Sequence, residues 1–483
     1  MTDTKKSIGI SFATQYVELV IQFVGVLMLA RVLAPQDIGT FSVAAFLMTL
    51  LHVFRDFGVV QYIIQERDLT GAKIRSAMGV AILLAFAVAA VMLACSGLVA
   101  RFYDNPALEP VMWVMAGSFA ISPFGSLLIG IYRREFRLKA IFFIRVGSAV
   151  VHATVSLVLA LNGFGALSLA WANFAGILAF GVIANLVRSR DVPRWPSFSN
   201  MRAILSYGGI SSVGNAVNIA GTNLPDVAIG KTMDMAAVGY FSRGNGLVSL
   251  FTRLITSALM PLVLPVFAEM RREGRDLAAP YLAAVEQLTA LAWPFFAGLG
   301  LLAYPMVRAL YGPQWDQSVP IVQLLSVAGA VSAVSLFASQ VMVANGQVAD
   351  STRFQLLTQP LRIVGVVAAA GFGLSAVAGA IIVSECVTLL VVTHFLRTTI
   401  RVGPGAVLAA CTKSALVTVC AALVPLLVNL FWDSDPAHPW PPLLVGILGA
   451  ACCWIGSLVL VRHPLAAHLV PLLNKLRPAA VPQ

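Results

Sequence analysis

The sequence predicts an all-α integral membrane protein of about fourteen transmembrane helices. Its expected plan is two pseudo-symmetric six-helix lobes around a central polar cavity, plus two C-terminal helices. Three observations carry this. Only 11% of the 483 residues are charged and the mean hydropathy is +0.87, against about 25% charged in soluble domains. Apolar runs long enough to cross a bilayer, about 20 residues each, follow one another with short polar breaks, which indicates helices rather than a barrel. Finally, the first half of the chain repeats in the second.

The spans read in order as 10–32, 38–62, 77–99, 110–131, 141–162 and 165–187, then the Pro- and Arg-bearing break 188–202. The second half reads 204–230, 237–267, 283–305, 319–344, 353–371 and 374–396, and the last pair 407–430 and 441–461. The expected divisions are residues 1–200 for the N-terminal lobe, 201–400 for the C-terminal lobe, and 401–483 for the extra helices and a tail. The repeat shows in matched residues. Arg31-x7-Gly39-Thr40-Phe41 is answered by Lys231-x7-Gly239-Tyr240-Phe241, and Gly163-Phe164-Gly165 by Gly371-Phe372-Gly373. Phe102-Tyr103 resembles Leu310-Tyr311, and at the same shift Arg145 lies on Arg353. An even number of spans per unit keeps both lobes in the same orientation.

Orientation follows from the breaks. One set carries most of the cations, including Lys5, Lys6, Arg67, Lys73, Arg75, Arg133, Arg134, Arg137 and Lys139, whereas the opposite set carries only Arg31, Arg101, Lys231 and Arg308. Lys and Arg favour the cytoplasmic side, so the chain is expected to be multi-pass in a bacterial inner membrane with both termini cytoplasmic. The same bias accounts for the net charge of +11, and no nucleic-acid partner is implied. No cleavable secretory segment is expected, because MTDTKKSIGI leads into a full-length span. Cys95, Cys386, Cys411, Cys420, Cys452 and Cys453 lie in apolar segments without metal-ligand spacing. They read as small core residues, with no disulfide and no metal site. There is no phosphate-binding loop, and Gly298-Leu299-Gly300 sits inside an apolar helix.

The chemistry lies in polar residues within spans. On span one Gln15, Glu18 and Gln22 share a helical face with Ser11, and on span seven Asn215, Asn218 and Thr222 share one with Ser211. Span two carries His52, Arg55 and Asp56, and span seven Asp226. Span eight carries Arg243, Asn245 and Arg253, with Ser249 and Thr256 at helical spacing, and span twelve carries Glu385. Each charge costs about 2.5–3.5 kcal/mol at the centre of a lipid-facing helix, so these groups must meet protein or water. Two readings account for them. One is buried ion pairs that fix helix packing. The other is a cavity for a large anionic, hydroxylated ligand, in which guanidinium groups hold diphosphate and amides hold sugar hydroxyls. Gly208, Gly209, Gly214, Gly221 and Pro225 fit span seven either for bending or for close helix packing.

The run Leu29-Ala30-Arg31-Val32-Leu33-Ala34-Pro35-Gln36-Asp37-Ile38-Gly39-Thr40-Phe41 is preceded by Gln22-Phe23. Asp56-Phe57-Gly58 and Ile63-Ile64-Gln65-Glu66 follow it. Together these resemble the start of bacterial polysaccharide transporters. Those are the O-antigen and exopolysaccharide flippases, colanic-acid and succinoglycan types nearest, of the multidrug/oligosaccharidyl-lipid/polysaccharide exporter superfamily. The resemblance implies a non-enzymatic carrier that moves undecaprenyl-diphosphate-linked oligosaccharide repeat units to the periplasmic leaflet by alternating access. A polysaccharide polymerase and other assembly proteins are then the partners beside membrane lipids. It implies no cofactor; Glu18, Asp56 and Asp226 are the candidates for coupling to H+ or Na+. Two rivals share the plan, a multidrug-and-toxin-type exporter and a lipid II flippase. An enzyme acting on the same lipid would need a larger extramembrane loop than any break here offers.

Overall fold

The structure is a computed structural model. It describes residues 2–56, 59–188, 192–193, 195–199, 201, 225–432 and 438–467. The described residues are mostly helical, with short turns between helices and no strand among them. Among the described residues ten helices are long and apolar enough to cross a membrane, and an eleventh span arises if one bent pair is joined. The chain is therefore a multi-pass, all-α membrane protein. It divides into two compact units, Met1–Gly239 and Tyr240–Gln483.

In the first unit α1 (Thr2–Val32), α2 (Pro35–Asp56), α3 (Val59–Gln65) and α4 (Gly71–Phe102) come first. They are followed by α5 (Leu108–Ile121), α6 (Pro123–Arg134), α7 (Leu138–Leu161) and α8 (Ala166–Leu186). The fourth expected span is bent by 46° between α5 and α6. Pro123, at the first position of α6, lacks the N–H that would continue the helix. α7 packs on α1 and α8, and α5 on α4 and α8. A core of Ile63, Leu127, Tyr132, Ile141 and Ile144 fills the space among α3, α6 and α7. The helical residues 225–232 close this unit.

The second unit takes most of α9 (Met235–Arg272). Next come α10 (Ala278–Leu301) and α11 (Ala303–Leu310), a 3-10 turn (Pro313–Ser318), α12 (Val319–Ser335) and α13 (Ala338–Ala344). Then follow α14 (Val348–Ala370), α15 (Leu374–Ile400), α16 (Pro404–Phe431) and α17 (Trp440–Leu460). Span ten, the repeat counterpart of span four, is interrupted by a turn at Leu336–Phe337 between α12 and α13 but without the sharp bend, so that Pro313–Ala344 still forms one span. Tyr281, Leu288, Phe337, Val341, Val392 and Leu396 form its core. The last two helices are not an appendage: α16 packs along α10 and α17 along α16.

Outward faces carry Leu98, Val364, Leu390 and Leu408, each 65–70% exposed, which in water would be costly and in lipid is not. Two of the cysteines read as core residues belong to this group: Cys386 and Cys452 are exposed on helix faces, whereas Cys411 is buried. A thiol is small and apolar enough for either environment.

The repeated residues have local causes. Gly165 (φ +53°) and Gly373 (φ +106°) precede α8 and α15 in conformations that side chains rarely adopt. The matched glycines thus start spans six and twelve alike. In the Pro35-Gln36-Asp37 break, the Asp37 carboxylate accepts from Ala166 N (3.2 Å) and Ala34 N (3.3 Å), capping α8 from another helix. Thr40 accepts from Asn105 Nδ2 at 3.0 Å.

Candidate functional site

Two residues of the polar face of α1, Glu18 and Gln22, are joined in a network with α7. Arg145 on α7 donates to Glu18 at 3.3 Å, and Gln22 Nε2 donates to the other carboxylate oxygen at 3.4 Å. Gln15 and Gln22 are exposed and Glu18 half-buried. Glu18 is thus a paired carboxylate, and the partner is the repeat-matched Arg145.

Along α2, His52 is half-buried with its ring 4.8 Å from Phe119 on α5. Arg55 is half-buried at a small cleft with Val59, Val60, Ala81 and Pro123. Asp56 belongs to α2, but its side chain lies outside the described residues. Asn215, Asn218 and Thr222 also lie outside them. Asp226 is described: it is half-buried, and no ion pair or hydrogen bond reaches it from other described residues. Tyr103, which follows α4, stands near it. Burial, reinforced by the Asp226 carboxylate, pushes the Tyr103 phenol up to about 12. Its hydroxyl meets Val227 O at 3.5 Å.

On α9 the polar residues separate into two roles. Arg243 is half-buried between the rings of Tyr311 (6.0 Å) and Trp315 (5.8 Å), all in the second unit, and its Nε has no hydrogen-bond partner. Cation–π contacts suit a guanidinium here. Asn245 and Arg253 are exposed, with half-buried Ser249 and Thr256 on the same helical face. An exposed arginine and amide on a membrane-spanning helix can meet a charged or hydroxylated ligand directly.

Two clusters were not assembled from the sequence. Glu385 on α15 pairs with Arg362 on α14 at 3.0 Å, and both are mostly buried. The signal was present, an arginine in the middle of span eleven, but no spacing rule joins it to a residue on the next helix. A second cluster ties α16 to α10. Thr289 Oγ1 donates to Ser414 Oγ at 2.9 Å, and Ser414 Oγ lies 2.9 Å from Glu286 O. The Glu286 carboxylate is 3.9 Å from both Lys413 Nζ and His463 Nε2. His463, just past α17, accepts from Leu465 N through Nδ1 at 3.1 Å, which places the neutral ring's proton on Nε2. Burial lowers its pKa, and nearby Lys413 acts the same way against the raising effect of Glu286. No group of three His, Cys, Asp or Glu with metal-binding geometry occurs among the described residues.

The chain is similar to the lipopolysaccharide biosynthesis protein WzxC of Escherichia coli, at 20% identity over 70% of this chain and 69% of that protein. The succinoglycan biosynthesis transport protein ExoT of Rhizobium meliloti is 24% identical over 68% of this chain and 66% of its own length. Among solved structures, the inward closed conformation of the lipid II flippase MurJ covers 94% of this chain and 99% of its own. Its TM-score is 0.75 at 13% identity, so the two share a fold. Residues 28–320 match the family described as Polysaccharide biosynthesis protein. With an all-helical membrane fold and ionisable residues inside its spans, the chain belongs to that family and is a transporter rather than an enzyme.

Proposed function

We propose that this protein carries an undecaprenyl-diphosphate-linked oligosaccharide from the cytoplasmic to the periplasmic leaflet of a bacterial inner membrane. Alternating access of two six-helix lobes is the means, and the product feeds exopolysaccharide or lipopolysaccharide assembly. The observation that carries this is the exposed face of α9. Asn245 and Arg253 stand uncovered on a helix long and apolar enough to cross a membrane. An uncovered arginine there is costly unless water or an anionic ligand meets it. A diphosphate offers bidentate acceptors to guanidinium, and sugar hydroxyls pair with amides. The names of the relatives support the substrate class, since they concern lipopolysaccharide, succinoglycan and lipid II.

Export of organic cations fits less well. Such a carrier needs several free carboxylates, but of Glu18, Asp226 and Glu385 the first and last are each held by an arginine. A lipid II flippase differs only in the glycan carried, and the substrate of the assay separates the two.

Of the candidates Glu18, Asp56 and Asp226, coupling to H+ or Na+ is assigned to Asp226: Glu18 is held by Arg145, the Asp56 side chain lies outside the described residues, and no other described residue bonds Asp226. Asp226→Asn should abolish gradient-dependent transport in proteoliposomes and leave binding of the lipid-linked sugar in place; transport that still follows the gradient excludes Asp226. The charge asymmetry of the breaks supports cytoplasmic termini, which reporter fusions at each end check. The test of the function is loss of the gene. Lipid-linked repeat units should then accumulate with their sugars facing the cytoplasm, whereas normal polymer and no accumulation would refute the assignment.

A further inference from the structure

The first turns of α2 and α9 meet backbone to backbone. A Cβ on Gly39 would overlap the carbonyl oxygen of Met235 and stand 3.0 Å from Gly239 N. A Cβ on Gly239 would overlap the carbonyl oxygen of Pro35 and stand 3.1 Å from its Cα. Pro35 and Met235 are the first residues of their helices, and each glycine lies four residues on. The contact is therefore two-fold: each repeat's glycine faces the first carbonyl of the other. Only glycine permits it, because the Hα that replaces the side chain points at the oxygen. Ile38 and Val238 flank the crossing and are fully buried.

The two glycines make no hydrogen bond across this crossing among the described residues. Among the described residues no backbone N–H of 33–40 or 233–239 donates to the other segment. The glycine contacts themselves are Cα–H···O and dispersion, which are weak. Beside it Lys231 Nζ donates to Phe102 O at 2.6 Å and lies over the Phe102 ring at 4.7 Å. These contacts join helices of one repeat to helices of the other, all in the sparsely charged breaks assigned to the extracytoplasmic side.

We propose that the Gly39–Gly239 crossing is a releasable closure on the extracytoplasmic side, opened once in each transport cycle. This rests on the alternating-access reading and adds the residues that seal one side. Glycine gives a tight seal with little binding strength, which suits a contact that must break and re-form.

The test uses the full-length chain with its six native cysteines replaced and a reporter introduced as Thr40→Cys, since Thr40 is 2% exposed beside the crossing. A membrane-impermeant maleimide is applied from outside to intact cells. Gly239→Ala should raise reporter labelling about tenfold, the change expected when roughly 1.4 kcal/mol of closure is lost. It should also lower polymer yield at an unchanged protein level. With both glycines present, labelling should be slow when repeat-unit synthesis is blocked and faster when export runs. If Gly239→Ala does not fold, this second comparison decides alone. Labelling indifferent to Gly239→Ala in folded protein, or indifferent to export in the glycine parent, overturns the closure. Increased labelling by Gly239→Ala in a protein whose deletion leaves lipid-linked oligosaccharides unaltered would instead remove the proposed substrate and keep the closure.

Discussion

Arg253 and Arg362 illustrate the two fates of a cation within a membrane helix. Arg253 is exposed on α9, and its truncation removes a charge without opening a core. Arg253→Ala should therefore lower polymer yield severalfold at unchanged protein level; full polymer would remove this residue from the carrier. Arg362 is mostly buried against Glu385. Arg362→Met leaves that carboxylate uncompensated, which costs about 3–5 kcal/mol for a buried pair. Thermal unfolding in detergent should show a clear loss, and Arg362→Met with Glu385→Leu should recover most of it. If the double change is as unstable as the single one, the pair is not the cause. At this scale the sequence showed which residue types break the apolar pattern, and it held open ion pairing against a ligand cavity. For Glu18 and Glu385 the coordinates show pairing. Spacing rules act within one helix, so they could not supply Arg145 or Arg362 from neighbouring helices.

Helix ends were more legible than helix contacts. The repeated Gly163-Phe164-Gly165 and Gly371-Phe372-Gly373 stand before α8 and α15 because a left-handed residue is needed there. The Asp37 cap on Ala166 was hidden, because donor and acceptor are 129 residues apart. Asp37→Ala should destabilise the first unit by about 1 kcal/mol, the usual worth of an N-terminal cap, and Asp37→Asn should restore part of it. Unfolding midpoints of the three proteins provide the check. The C-terminal pair offers a pH test. Burial lowers the His463 pKa in the fold relative to the unfolded chain. The unfolded state then binds the extra proton as pH falls below about 6.5, the ordinary imidazole value, and the fold loses stability in that window. The unfolding midpoint should fall between pH 7.5 and about 5.5, and His463→Gln should flatten that dependence. An unchanged slope in His463→Gln would assign the effect to other groups.

At the scale of the whole molecule, hydropathy and the internal repeat were sufficient for the fold class, because lipid forces each spanning segment to satisfy its own backbone as a helix. The bend within span four and the turn within span ten were not legible as such. Pro123 is visible in the first, but Leu336–Phe337 in the second carries no breaker. Two-fold contact at Gly39 and Gly239 was visible only as matched letters; its meaning needed the carbonyls of Pro35 and Met235 beside them.

The most direct test of the carrier reading is reconstitution. Purified protein in proteoliposomes would be given a fluorescent polyprenyl-diphosphate oligosaccharide, and the pool protected from an added glycosidase would be followed over time. The account predicts that the protein makes the protected pool accessible, and that Arg253→Ala slows this severalfold. A protected pool that stays protected with folded, correctly inserted wild-type protein, in the presence of H+ and Na+ gradients, would contradict it.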